Sequence, residues 1–187
     1  MKRAGYVLVG GRSSRMGRDK ALLPYHGGVL AEFVARAVKL AAGSAVLVGN
    51  ARRYGCVDYP TLPDLYPGEG PLGGILSALR NSTADWTLIV ACNMPKVSAE
   101  FLTGLLDAAA RTDADVLVPA GPSGRLEPLC AVYHRRSREL LDRAFAAGIR
   151  KVTAAFTGLQ IAVFAVPELT PFQNVNTPED WAGYAAK

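Results

Sequence analysis

Short continuous apolar runs alternate along this chain with stretches whose apolar residues recur at helical spacing. Residues 5–9 form one such run, ending at Gly10-Gly11, which predicts a buried strand followed by a tight turn. Between residues 30 and 41, Leu30, Val34, Ala37, Val38 and Ala41 share one face, predicting a helix that Gly43 can end in a left-handed conformation. Residues 45–48 predict a second buried strand. Residues 63–74 are rich in Pro and Gly and predict a loop that opens a helix at about Leu72. A third strand is expected over 86–91, followed by the turn Cys92-Asn93-Met94-Pro95. Ser98 is a suitable N-cap for a helix running to about residue 110. Strands at 115–119 and 129–133, a helix at 137–147, a strand at 160–166 and a closing helix at 178–185 capped by Thr177 complete the pattern.

The strands are apolar throughout rather than alternating, so both of their faces are expected to be covered. Alternation of such strands with helices predicts an α/β fold: one domain over residues 1–187, a mostly parallel, doubly wound sheet with helices on both faces. In sheets of this kind ligands sit beyond the carboxyl ends of the strands, where the strand order reverses. The segments 10–20, 64–74 and 93–95 all follow strands and are chemically unusual, so they are expected to converge on one site.

Composition narrows the function classes. Half of the residues are hydrophobic and a fifth are charged, as in ordinary globular proteins. The N-terminal apolar stretch, residues 6–9, is too short for a signal-peptide core, and no segment approaches the roughly 20 apolar residues of a membrane span. A cytoplasmic location without a membrane role is the expectation. Cys56, Cys92 and Cys130 are scattered without a CxxC pair, which argues against a disulfide scaffold or a zinc site. The net charge of +5 suits an anionic ligand, but the basic residues form no stripe interleaved with aromatics, so nucleic acid is not an expected partner.

The most informative segment is Leu8 to Leu23, LVGGRSSRMGRDKALL. Gly10, Gly11 and Gly17 let a backbone wrap closely around a ligand. Arg12, Arg15, Arg18 and Lys20 place four cations within nine residues. Backbone N–H donors with guanidinium and ammonium groups suit a triphosphate and its departing pyrophosphate. Neither the Walker A pattern nor the G-x-G-x-x-G fingerprint is present.

The stretch L-x-G-G-x-S-x-R-M-G-x-D-K-x-L-L resembles the signature of nucleotidyltransferases of the molybdopterin guanylyltransferase (MobA-like) type. The likeness continues through PDLYPGEGPLGGILSAL, similar to the family's D-x-x-x-x-x-G-P-L-x-G stretch, through Pro128 to Tyr133, and through FQNVNTPED at residues 172–180. It spans nearly the whole chain. The resemblance implies a Rossmann-like, GT-A-like nucleotidyltransferase fold and transfer of GMP from GTP to the phosphate of molybdopterin, with Mg²⁺ as metal and pyrophosphate as product. It leaves room for other cofactor-biosynthesis proteins as partners. In that family the region of Leu8, Val9, Gly10 and Gly11 touches base and ribose, and Lys20 with Arg12 and Arg15 holds phosphates. Arg15 and Lys20 are thus the expected catalytic residues. Asp64 is expected on the guanine, whose N1–H and amino group are donors that a carboxylate accepts. Gly73 and its neighbours Gly70 and Gly74 are expected to let the base approach. Gly11 and the Pro71-Leu72-Gly73-Gly74 run follow the guanylyl rather than the cytidylyl pattern.

One position departs from the family. Where members read P-C-D-M-P, with an aspartate on the metal, this chain reads Ala91-Cys92-Asn93-Met94-Pro95. Magnesium prefers anionic oxygen, so an amide is a weaker ligand. Asn93 and Asn176 are the candidate metal ligands, with Asn174 a further candidate near the acceptor. Three functions stay open: a GTP-dependent transferase acting on molybdopterin, a related transferase with another nucleotide or acceptor, and a nucleotide-binding homologue whose turnover is impaired at Asn93. Arg125, Arg150 and Lys151 read equally as acceptor ligands or solvated surface. His26 and His134 read as structural.

Overall fold

The computed structural model describes residues 1–10, 18–168 and 170–185. The described elements are β1 (Arg3–Leu8), β2 (Pro24–Tyr25), β3 (Gly28–Val29), α1 (Leu30–Ala42), β4 (Val46–Val48), β5 (Thr61–Leu62), α2 (Pro71–Asn81), β6 (Trp86–Ala91), α3 (Ala99–Ala109), β7 (Val116–Ala120), β8 (Cys130–His134), α4 (Ser137–Ala146), β9 (Ile161–Ala165) and α5 (Pro178–Ala185), with short 3₁₀ turns at Lys20–Leu22, Val152–Phe156 and Thr170–Phe172.

The helices begin and end where their polar residues dictate. Gly43 takes a φ of 79° and its N–H donates to the Lys39 carbonyl, closing α1 in a left-handed conformation that a side chain would oppose. Ser98 Oγ accepts from Phe101 N at 3.2 Å to start α3. Thr177 Oγ1 accepts from Asp180 N, and Asp180 Oδ2 accepts in return from Asn176 N and Thr177 N, a reciprocal cap for α5.

Seven strands form one sheet in the order β5-β4-β1-β6-β8-β7-β9. Strands β5, β4, β1 and β6 pair in parallel, and β7 pairs in parallel with β9. Among the described strands of this sheet, only β8 runs antiparallel to both of its neighbours. The mostly parallel sheet expected from the sequence is therefore present, and the inserted antiparallel strand is the detail that apolar patterning does not encode. Both faces are covered over the central strands, whereas the edge strand β9, expected to be buried like the others, is partly exposed, with Val163 57% exposed. Val7, Leu88, Val90 and Val132 pack under α1 and α3, whereas Tyr6, Ile89, Ala131 and Tyr133 pack under α2 and α4. Residues adjacent in sequence thus belong to opposite cores, which explains why these strands carry no polar face.

The short β2–β3 hairpin was not legible as an element. Its turn puts His26 at φ 46° and Gly27 at φ 79°, two consecutive left-handed residues in a link too short to show a period. None of the described helices is long and apolar enough to cross a membrane.

Gly5 tests the central packing. A Cβ at Gly5 would meet Val38 Cγ1 at 2.3 Å and the Ser44 carbonyl oxygen at 2.5 Å, whereas one at Gly104 in α3 would meet nothing within 4 Å. Gly5→Ala is expected to destabilise by about 1–3 kcal/mol through overpacking. Gly104→Ala is expected to stabilise by up to about 1 kcal/mol through helix propensity. Urea denaturation midpoints measure both, and equal midpoints would refute this account of the core.

Candidate active site

Strand order reverses beside β1. The chain leaves β1 toward β4 and β5, then returns to place β6 on the other side of β1. Leu8 and Ala91, the last residues of β1 and β6, are register partners. The Cys92 N–H donates to the Leu8 carbonyl at 3.1 Å, and the Val9 N–H donates to the Val48 carbonyl at 3.0 Å. The segments leaving these strands are thereby held side by side, the arrangement in which open α/β sheets bind ligands.

A cleft of about 460 Å³ lies at this end, lined by Leu8, Val9, Gly10, Lys20, Asp64 and Asn93 together with Asp19, Gly70, Pro71 and Gly74. The three segments singled out in the sequence therefore meet. Gly10 adopts φ 117°, where a side chain is rarely tolerated. The expected site residues Gly11, Arg12 and Arg15 lie outside the described residues.

Lys20 is delivered by a built turn. Ala21 and Leu23 are buried and anchor the 3₁₀ turn that begins at Lys20. Asp19 caps it, its Oδ1 accepting from Ala21 N at 3.0 Å. The other oxygen, Oδ2, accepts from the Tyr54 hydroxyl at 2.9 Å and pairs with Arg53 Nε at 2.5 Å. Tyr54 is buried, and its burial, reinforced by the hydrogen bond to Asp19, raises its phenol well above the usual range. It therefore donates at any physiological pH. Sequence reasoning missed this support; a lone aromatic within the polar stretch 50–55 was the available signal.

Beyond the turn, Lys20 Nζ donates to Asn176 Oδ1 at 2.9 Å, and Asn93 Nδ2 donates to the same oxygen at 3.1 Å. The Val175 N–H donates to the Asn93 carbonyl at 2.9 Å, tying the 173–176 segment to the end of β6. Asn93 and Asn176, far apart in sequence, are thus in direct contact. Asn174 Oδ1 is buried without a partner in the structure.

Asp64 also lies in the cleft. Its Oδ1 accepts from Tyr66 N at 3.0 Å and from the Ser77 hydroxyl at 2.9 Å, so the same residue shapes its own loop. No partner of Oδ2 is found among the described residues. Gly73 departs from expectation. It is buried, a Cβ there would meet Tyr66 Cβ at 2.8 Å, and it does not line the cleft. Its smallness serves loop packing; Gly70 and Gly74 are the glycines that face the cleft. Arg150 reaches Glu69 Oε2 at 2.6 Å, donates to the Phe145 and Ile149 carbonyls and covers the Phe145 ring, so it clamps the 64–70 loop to the end of α4. Arg125 pairs with Glu127 at an exposed position.

The donors here do not compose a divalent-cation site of the ordinary kind. Asn176 Oδ1 already accepts from an ammonium and an amide, and Asn93 offers one neutral oxygen. Among the described residues no group of three or more His, Cys, Asp or Glu side chains could hold a metal ion. Chemically, the cleft combines a positioned cation, an acceptor carboxylate oxygen and close-approach glycine backbone.

The chain matches the family model of the MobA-like NTP transferase domain over residues 5–160. It is 33% identical over 190 residues to a probable molybdenum cofactor guanylyltransferase of Bacillus cereus (strain ATCC 10987 / NRS 248), covering 96% of this chain and 94% of that protein. A probable molybdenum cofactor guanylyltransferase of Clostridium perfringens (strain 13 / Type A) is 29% identical, with 97% of this chain and 95% of that protein covered. Among solved structures, the molybdopterin-guanine dinucleotide biosynthesis protein A of Archaeoglobus fulgidus superimposes with a TM-score of 0.83 at 28% identity, covering 97% of this chain and 96% of that one. The chain belongs to the MobA-like NTP transferase family, a family of nucleotidyltransferases.

Two outcomes test the site's construction. Tyr54→Phe removes one donor to Asp19 and is expected to cost about 1 kcal/mol in urea denaturation, with a weaker hold on Lys20 read as a raised KM for the nucleotide; an unchanged KM and midpoint would refute the supporting role. Burial, with the nearby Asp19 charge, pushes the Cys92 thiol up to about 12, and burial likewise raises that of Cys130, whereas Cys56 is exposed. Iodoacetamide at pH 8 should therefore alkylate Cys56 in the native protein and reach the other two only in denaturant, as read by peptide mass spectrometry.

Proposed function

We propose that this MobA-like NTP transferase transfers GMP from GTP to the phosphate of molybdopterin and releases pyrophosphate. The observation that carries this reading is the meeting of Lys20, Asp64 and the Gly10 backbone in one cleft at the carboxyl ends of β1 and β6. The names of the curated relatives favour guanylyl transfer to the molybdenum cofactor over other nucleotides and acceptors.

In this reading an oxygen of the acceptor phosphate attacks the α-phosphorus of GTP. A new P–O bond forms as the bond to the pyrophosphate oxygen breaks, and pyrophosphate departs with the negative charge. A phosphate monoester is largely dianionic near neutral pH, its second pKa being about 6, so no side chain has to remove a proton. The protein supplies alignment and charge stabilisation. Lys20, fixed by its turn and by Asn176, meets the charge on the departing group, assisted by Arg12 and Arg15. Leu8, Val9 and Gly10, with Gly11, receive base and ribose. Asp64 Oδ2 accepts from the guanine N1–H and amino donors while Oδ1 keeps its loop in place. The N-terminus of α2 at Pro71 adds partial positive charge beside the cleft.

A second reading, nucleotide binding with slow turnover or with another acceptor, draws on the amide at position 93. Pyrophosphate release with GTP and molybdopterin separates the two, and its absence with verified acceptor would remove the first. GTP should be preferred to ATP and CTP. Lys20→Ala should lower kcat/KM by about 100-fold. Asp64→Asn keeps the Oδ1 contacts but turns a donor toward the base, and should cut the preference for GTP over ATP by about tenfold or more; an unaltered preference would overturn the assignment of Asp64 to the base.

A further inference from the structure

The orientation of the two asparagine amides follows from the chemistry of lysine. An ammonium can only donate, so the Asn176 atom 2.9 Å from Lys20 Nζ is an acceptor oxygen. The Asn93 atom 3.1 Å from that same oxygen must then be its amide nitrogen. One oxygen collects two donors, Asn93 Nδ2 from the turn after β6 and Lys20 Nζ from its 3₁₀ turn, while the Asn93 carbonyl accepts from the Val175 N–H. The nearby carboxylates are engaged by other donors: both oxygens of Asp19 by Ala21, Tyr54 and Arg53, and Oδ1 of Asp64 by its own loop. Oδ2 of Asp180, which also feels the Lys20 charge, accepts from Asn176 N and Thr177 N. Magnesium is ordinarily held through one or two carboxylates together with substrate phosphates; at position 93 an incoming ion would face an ammonium and a neutral amide oxygen. Asp64 Oδ2, which the reading above assigns to the base, is a carboxylate oxygen of the cleft with no partner among the described residues.

We propose that this cleft binds a nucleoside triphosphate without a resident divalent cation, because the Lys20–Asn176–Asn93 cluster supplies at that point the positive, hydrogen-bond-donating surface that a metal would otherwise provide. The inference rests on the nucleotidyltransferase reading above. A metal, when present, arrives on the nucleotide. The substitution at position 93 is what makes this arrangement self-consistent. An aspartate there would set a carboxylate oxygen against Asn176 Oδ1, acceptor facing acceptor, until the Asn176 amide turned or Lys20 moved onto the carboxylate. Either rearrangement cancels a positive charge that the phosphates would meet. Triphosphate affinity would then depend on a metal to restore it, and linkage requires the nucleotide to tighten metal binding by the same factor.

The test is GTP affinity, measured by isothermal titration calorimetry in EDTA and in excess MgCl₂, for the natural protein, Asn93→Asp and Asn93→Ala. Titration of the nucleotide-free proteins with Mn²⁺, followed by electron paramagnetic resonance, gives a second readout independent of turnover. The natural protein is expected to bind GTP in EDTA within about threefold of its affinity in magnesium and to leave Mn²⁺ free in solution. Asn93→Ala removes a donor but adds no charge, so it should bind GTP more weakly in both buffers, still without magnesium dependence, and leave Mn²⁺ free. Asn93→Asp should lose about tenfold or more in EDTA, regain it with magnesium and take up Mn²⁺. Loss of GTP binding by the natural protein in EDTA, or stoichiometric Mn²⁺ uptake by it without nucleotide, would overturn the proposal, and these arms decide it even if the aspartate variant does not fold. Absence of GTP binding in both buffers would instead overturn the nucleotide-binding reading on which it rests.

Discussion

Parallel pairing of β1 with β6 is the constraint on which the rest of the molecule depends. It sets Leu8 beside Ala91, so the glycine-rich segment and the Cys92-Asn93 turn leave the sheet from neighbouring strands on the same edge. Because β4 and β5 lie on one side of β1 and β6 on the other, the connections diverge there, where open α/β sheets leave a crevice. Both strands are sealed by apolar packing on two faces, so their ends are rigid and the polar groups beyond them are positioned rather than floating.

On this frame the cleft is assembled by hydrogen bonds between segments remote in sequence. Asp19 is held by Tyr54 and Arg53 from the 50–55 turn and in turn caps the turn that carries Lys20. Lys20 reaches Asn176, and the backbone of Val175 is tied to Asn93. On the other wall, Arg150 grips Glu69 and fixes the loop that bears Asp64. Lys20 and Asp64, the described charged side chains singled out in the cleft, thus each have their own support, which limits their conformational freedom. The amide at position 93 changes the sign of one part of this cleft: where a carboxylate would draw cations, the structure gathers donors.

Much was legible in the sequence. The 86–91 strand, the 178–185 helix with its Thr177 cap, and the Gly43 stop could be read because they rest on local chemistry: continuous apolar runs, a hydroxyl acceptor, a residue able to take positive φ. The convergence of residues 10–20, 64–74 and 93–95 followed from the general rule for ligand sites in wound sheets. Lys20 stood out in a loop dense in glycine and cations, whereas Asp64 and Asn93 were found through the resemblance to the MobA-like family.

Tertiary structure decided what periodicity leaves open. The direction of β8 could not be read, because a strand buried on both faces is apolar whichever way it runs. The role of Gly73 also needed coordinates: a glycine in a loop signals close approach, but only packing showed that the approaching group is Tyr66 and not a ligand. Tyr54 became part of the site through a contact across 35 residues, and Asn176 through contacts across 156 and 83. The sequence by itself determined the longer helices and strands, the fold class and the cationic character of the first loop, since these depend on local pattern and composition, but not the two-residue strands β2, β3 and β5. Which polar atoms face one another, and so that the side chain at position 93 meets the acceptor oxygen of Asn176, was decided only by tertiary structure, because hydrogen-bond partners are chosen by distance and angle in space and leave no spacing in the chain.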